Sequence, residues 1–259
     1  MKETLKSILS VDLAVRSYQD CGFVVLRKKQ EGFTAYFPTA TELGLHGRPE
    51  PEPMAEALAV FCWSQRVGLL IIDGPQGWKN PKSPLAFRCA DFEAKAPAKV
   101  CEVGIVKPRT YLRFVDFSTK LFFLLAHMHR MKLAYKFKGK LANFPHGKTL
   151  LCESLPFVSW CALGIKPLPA KAKCTKVEIK KRYDYLCEQF HLKSLKSEPT
   201  HDELQALVAS ITGIHLLAEE PHNVRIYGRN PILSKDCILE GLILAPPSSS
   251  RIPSLGKNY

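Results

Sequence analysis

Four acids carry the chemistry this sequence offers. Asp12 lies in the apolar run "SILSVDLAV", Asp73 ends "VGLLIID", Glu153 closes "TLLCE", and Asp202 follows Thr200 in "THDELQ". Oxygen-only ligand sets select hard ions, Mg²⁺ or Mn²⁺. Carboxylates packed together raise one another's pKa unless such cations neutralise them. Two ions about 3.5–4 Å apart activate a water and stabilise the leaving oxygen in phosphodiester cleavage. Each acid also has a local explanation. Asp73 shapes a Gly-Pro turn, Asp202 complements a helix dipole, and Glu153 pairs with a lysine. Asp12 resists this treatment, since an acid within an apolar strand needs a partner. Convergence of the four decides between the two readings.

The elements that would position them follow from the pattern. Residues 7–37 read as three strands separated by short polar turns, hence successive antiparallel hairpins. "PEPMAEALAVFCWSQ", with Met54, Ala57, Leu58, Phe61 and Cys62 at helical spacing, predicts a helix over 51–65. Strand 67–72 is almost wholly apolar, as a central strand covered on both faces should be. Periodicity is lost from Gly74 to about Arg109, a basic, proline-punctuated insertion. A long helix is predicted over 111–135, a strand over 149–156, then helices at "FVSWCALG" and "VEIKKRYDYLCEQFHL". Thr200 and Glu203 have the spacing of a capping box, so Asp202 falls in the first turn of the next helix. The strands "VRIYG" and "CILEGLILA" precede a tail, 246–259, expected to be flexible.

Three antiparallel strands feeding a βαβα extension form a mixed α/β sheet of five or more strands with helices on both faces. That is the ribonuclease H-like arrangement, expected as one domain over 1–245. In it Asp12 and Asp73 lie on neighbouring strands, Glu153 ends the next parallel strand, and Asp202 reaches over the same edge.

The chain has 259 residues, 46% of them hydrophobic, enough for a sizeable core. Lys and Arg number 37 against 24 Asp and Glu, a net charge of +13 that suits a polyanionic partner. Lys79 and Arg88 in the insertion, Arg130, Lys136 and Lys138 in "HRMKLAYKFKGK", and Lys171 and Lys173 in "KPLPAKAK" are the expected phosphate contacts. Nine cysteines form no Cys-x-x-Cys pair, and Cys187 with His191 lacks the second pair a zinc site needs. Buried thiols in a reducing cytoplasm are the expectation. The longest apolar run, "LFFLLA", is too short to span a bilayer, and the first residues carry no run long enough for a signal peptide. A Walker loop and a dinucleotide-binding glycine fingerprint are both absent.

"SVDLA", "IIDGPQGW", "CESLPFVSWCALGIKPLPAKAK" and "HDELQALVAS", in that order, resemble the predicted ribonuclease H-like nucleases of domain-of-unknown-function family 429. The resemblance spans residues 8 to about 245. It implies a metal-dependent nuclease fold with Asp12, Asp73, Glu153 and Asp202 as the acidic set and Mg²⁺ or Mn²⁺ as cofactor. It also implies nucleic acid as partner. Arg88 and Asp91 match the family's Arg-x-x-Asp element, which either orders the loop as an ion pair or contacts substrate. Gln205 stands where many relatives carry a second Asp. Glu56 on the first helix is either a substitute acid or a solvent-facing charge. A binding protein that keeps the fold without catalysis is the alternative; a sugar-kinase-like phosphotransferase ranks last.

Overall fold

The apolar opening pairs with itself. In the computed structural model, which describes residues 7–142, 147–194, 196–217 and 224–248, β1 (Ser7–Asp12) runs antiparallel to β2 (Gly22–Lys28), with Asp12 opposite Gly22. β3 (Phe33–Tyr36) continues the meander. α1 (Pro51–Ser64) opens with proline in its first turn, where a missing N–H costs nothing. It returns the chain to β4 (Leu69–Asp73), parallel to β1.

The insertion is partly ordered: α2 (Cys89–Glu93) precedes a small hairpin of β5 (Lys99–Val100) and β6 (Val106–Lys107). α3 (Leu112–His127) ends earlier than the expected 135. Met128 turns extended and Arg130 takes a left-handed conformation, so that β7 (Met131–Leu133) can pair with the sheet. The hairpin β8 (Lys136–Phe137) and β9 (Lys140–Leu141) leads to β10 (Thr149–Ser154), parallel to β4.

α4 (Pro156–Ala162) and α5 (Lys176–Gln189) follow. β11 (Leu192–Ser194), taken from the end of the expected helix, joins β3. α6 (His201–Leu217) begins as expected: Glu203 N–H donates to Thr200 Oγ1 at 3.2 Å and Thr200 N–H to Glu203 Oε2 at 2.7 Å. β12 (Arg225–Leu233) and β13 (Ile238–Ala245) close the sheet.

The order is β11-β3-β2-β1-β4-β10-β13-β12, with β7 also on β10. Its centre, β3-β2-β1-β4-β10, is the ribonuclease H-like arrangement, lengthened at both edges. Alternation along the strands sorts the core. Ile8, Ile71, Cys152 and Leu244 face α4, α5 and α6. Leu9, Val11, Leu70, Ile72 and Leu151 face α1 and α3. Each such fully buried aliphatic contributes roughly 1.5–3 kcal/mol. An exposed pair such as Lys120–Glu52, 3.0 Å apart, contributes less than about 1 kcal/mol. Burial therefore holds the sheet between its helices. Among the described residues no helix is long and apolar enough to cross a membrane. The expected tail lies outside the described residues beyond 248.

Candidate metal centre

β1 and β4 end together. Asp12 and Asp73 are register partners, so their side chains leave the same face of the sheet, the α6 face, at its carboxyl edge. Both keep some contact with solvent. Burial pushes Asp12 well above the ordinary carboxylate range, reinforced by the charge and hydrogen bond of Asp73 and by the charge of Asp202. Asp73 is pushed up to about 7, chiefly by burial, with Glu153 adding to it and the Asp12 hydrogen bond opposing it. Carboxyls raised in this way favour their protonated forms unless a cation neutralises them.

Asp202 reaches this pair because of a glycine. A Cβ on Gly22, the residue opposite Asp12, would lie 2.1 Å from the Asp202 carbonyl oxygen. Only a glycine there lets the first turn of α6 settle on β2. Burial raises the Asp202 pKa, but hydrogen bonds from His201 and Lys171 outweigh it and hold the carboxylate low. His201 Nδ1 is 2.9 Å from Asp202 Oδ1, and its Nε2 is 3.0 Å from the Pro169 carbonyl. Lys171 Nζ bridges Asp202 and Asp20. Gln205, one turn along, takes no part: its Oε1 accepts the Trp160 indole N–H at 2.7 Å.

Glu153 is not brought to this group. Its register partners are Ile72 and Ile243, one residue off the Asp73 row, so it leaves the opposite face of the sheet. There Arg88 grips it with two bonds, Nη1 to Oε2 at 2.7 Å and Nη2 to Oε1 at 2.6 Å. Gln76 N–H adds a third at 2.8 Å. Arg88 Nη2 also donates to Asp91 Oδ1 at 2.7 Å. Of its two open roles, Arg88, 1% exposed, is thus placed to order the loop and is too deep to meet substrate.

Glu240, an acid inside the apolar run "CILEGLILA", was missed although its signal equals that of Asp12. It is buried and accepts the N–H groups of Asn80 and Cys89 at 3.2 and 3.1 Å, pinning the insertion to β13.

Among the described residues no three His, Cys, Asp or Glu side chains are grouped to hold a metal ion. The donors that do meet are all oxygens: the Asp12–Asp73 pair, with Asp202 alongside but engaged by Lys171. They suit one hard cation at the pair; the four-acid set for two ions is not assembled.

Comparison with known proteins adds little. No protein-family model and no curated protein matches the chain. Among solved structures, Thermus thermophilus RuvC aligns over 81% of this chain and 94% of that one, at 11% identity and a TM-score of 0.36. The resemblance to family 429 therefore rests on its quoted motifs, and the fold on its strand order.

The expected phosphate contacts scatter. Lys79 is 6% exposed with Nζ 3.5 Å from Glu102, so it is buried in the insertion. The Arg130 carbonyl accepts from Thr149 N–H, at the amino end of β10. That is five residues, roughly 16 Å, from the edge where Asp73 lies. Its guanidinium sits over the exposed Trp63 ring. Lys136 Nζ is bonded to the Gly228 carbonyl. Lys138 is exposed in the β8–β9 turn, its Nζ 5.6 Å from the centroid of the Phe137 ring. Lys171 and the exposed Lys173 share one short turn beside Asp202. Of the seven, only Lys171 contacts Asp202, and Lys173 lies two residues on in the same exposed turn.

Proposed function

We propose that this chain is a Mg²⁺- or Mn²⁺-dependent nuclease that hydrolyses phosphodiester bonds of nucleic acid at the Asp12–Asp73 edge. What supports this most is the register pairing of two carboxyls, both raised by burial, at the ends of adjacent parallel strands, with Asp202 held against them by Gly22. Asp12 and Asp73 would hold one cation, which supplies Lewis-acid polarisation of a phosphoryl oxygen and activation of water. Because burial raises both pKa values, their affinity for such a cation should rise with pH as they ionise. Asp202, kept ionised by Lys171 and His201, lines the rim as a further negative charge beside the pair. Lys171 and Lys173 would meet the phosphate backbone there; because this contact reads charge, sequence preference should be slight. Residues 1–245 form one domain in this proposal, with 74–110 as an insertion locked to the sheet by Arg88 and Glu240. Nine free cysteines, five of them buried, suit the cytoplasm.

The test is cleavage of labelled single-stranded DNA, duplex DNA and RNA with Mn²⁺, Mg²⁺ or EDTA. Cleavage that needs the cation and falls at least about a hundredfold in Asp73→Asn supports the reading. Cleavage equal in Asp73→Asn and wild type contradicts it. A second reading, a nucleic-acid-binding protein without catalysis, is favoured by one observation: Arg88 and Lys171 already neutralise Glu153 and Asp202. Tight binding in EDTA with no cleavage under any condition would select it.

A further inference from the structure

The row that pairs Asp12 with Asp73 does not stop at β4. Asp73 is itself the register partner of Ser154, the last residue of β10. The three strands therefore end in line on one face as Asp, Asp, Ser. Ser154 continues the parity of Leu150 and Cys152, both in the core beneath α6, and its other neighbour, Leu244, belongs to that core too. Glu153, one residue earlier, points the other way.

Ser154 is 1% exposed, and its Oγ has no hydrogen-bond partner among the described residues. Buried hydroxyls ordinarily find partners. Five other side-chain atoms share this condition, but none of them lies in the Asp12–Asp73 row. The nearest in kind is Ser10. It is on β1 two residues before Asp12, hence on the same face but about 7 Å deeper in the sheet.

We propose that Ser154 is the third protein oxygen of the centre, its hydroxyl binding the same divalent cation as Asp12 and Asp73. The proposal rests on the reading of that pair as a cation site. A hydroxyl is a hard oxygen donor, as in the phosphate loops whose Ser or Thr holds Mg²⁺. Being neutral, it adds a ligand without adding a third charge to a pair that already repels itself.

The experiment is Mn²⁺ titration, by calorimetry and by electron paramagnetic resonance, of wild type, Ser154→Ala, Ser10→Ala and Asp73→Asn, with thermal melts of each in EDTA. Ser154→Ala should bind Mn²⁺ about tenfold more weakly or worse, while its melting temperature in EDTA equals or exceeds that of wild type, since the lost hydroxyl had no partner. Ser10→Ala should bind as wild type does. Ser154→Ala binding like wild type while Asp73→Asn does not overturns this inference alone. Equal losses in Ser10→Ala and Ser154→Ala, or a lower melting temperature in Ser154→Ala, also overturn it by making the hydroxyl structural. A wild type that binds no Mn²⁺ overturns both this inference and the cation-site reading beneath it.

Discussion

Burial pushes the Asp73 pKa up to about 7 in the folded chain, from the ordinary carboxylate value of about 4 in the unfolded one. Between those limits the folded state binds more protons, so the group costs stability as pH rises from about 4 to about 7, and the cost is level above that. Urea melts in EDTA should therefore show wild type losing stability relative to Asp73→Asn across that window. Parallel profiles for the two proteins would show that Asp73 does not titrate there. The acids differ in how readable they were. Asp12 stands out as a charge within an apolar run and Asp73 as one at the end of a run; in the structure β1 ends at Asp12 and β4 at Asp73, in one register row. Glu153 gave the same signal, but a one-residue offset in register decides which face a strand residue takes. That offset becomes visible only when Leu69 is set against Leu150, and then the residue in line with Asp73 is Ser154.

Elements bring these side chains together through a few close approaches. A methyl on Gly22 must displace the α6 backbone, so Gly22→Ala should lose at least about 1–3 kcal/mol in urea melts and weaken Mn²⁺ binding with it. Unchanged stability would mean that α6 is free to shift. On the opposite face, Arg88→Ala strands Glu153 and Asp91 as buried charges and should cost about 3–5 kcal/mol. Arg88→Met with Glu153→Leu, removing the main pair, should unfold at a higher urea concentration than Arg88→Ala. The reverse order would deny the ion pair its place in the core. Helices and central strands were legible because periodicity and caps are local signals: α1, β4 and the capping box of α6 appear as expected. β7 and β11 were not. Each is three residues long, and an available sheet edge, a tertiary feature, makes them strands.

Over the whole molecule, +13 charge exceeds what the acids consume, but its distribution matters more than its sum. Nucleic-acid binding measured by fluorescence anisotropy between 50 and 200 mM salt should weaken steeply. Removing Lys173, in the turn that carries Lys171, should lower the slope of log affinity against log salt by about 1. Replacing Arg130, at the opposite edge of the sheet, should leave that slope unchanged; a larger effect from Arg130 than from Lys173 would move the binding face away from the acids. Composition gave the excess of charge but not its place, because Lys79 and Arg88 are exposed or buried according to the packing of the insertion.

The central claim is that Asp12 and Asp73 share a cation. An anomalous-scattering map from a crystal grown with Mn²⁺ tests it directly. One peak within bonding distance of both carboxylates, with Glu153 still held by Arg88, is the predicted result. No peak, with the two carboxyls bonded to each other in saturating Mn²⁺, would contradict it.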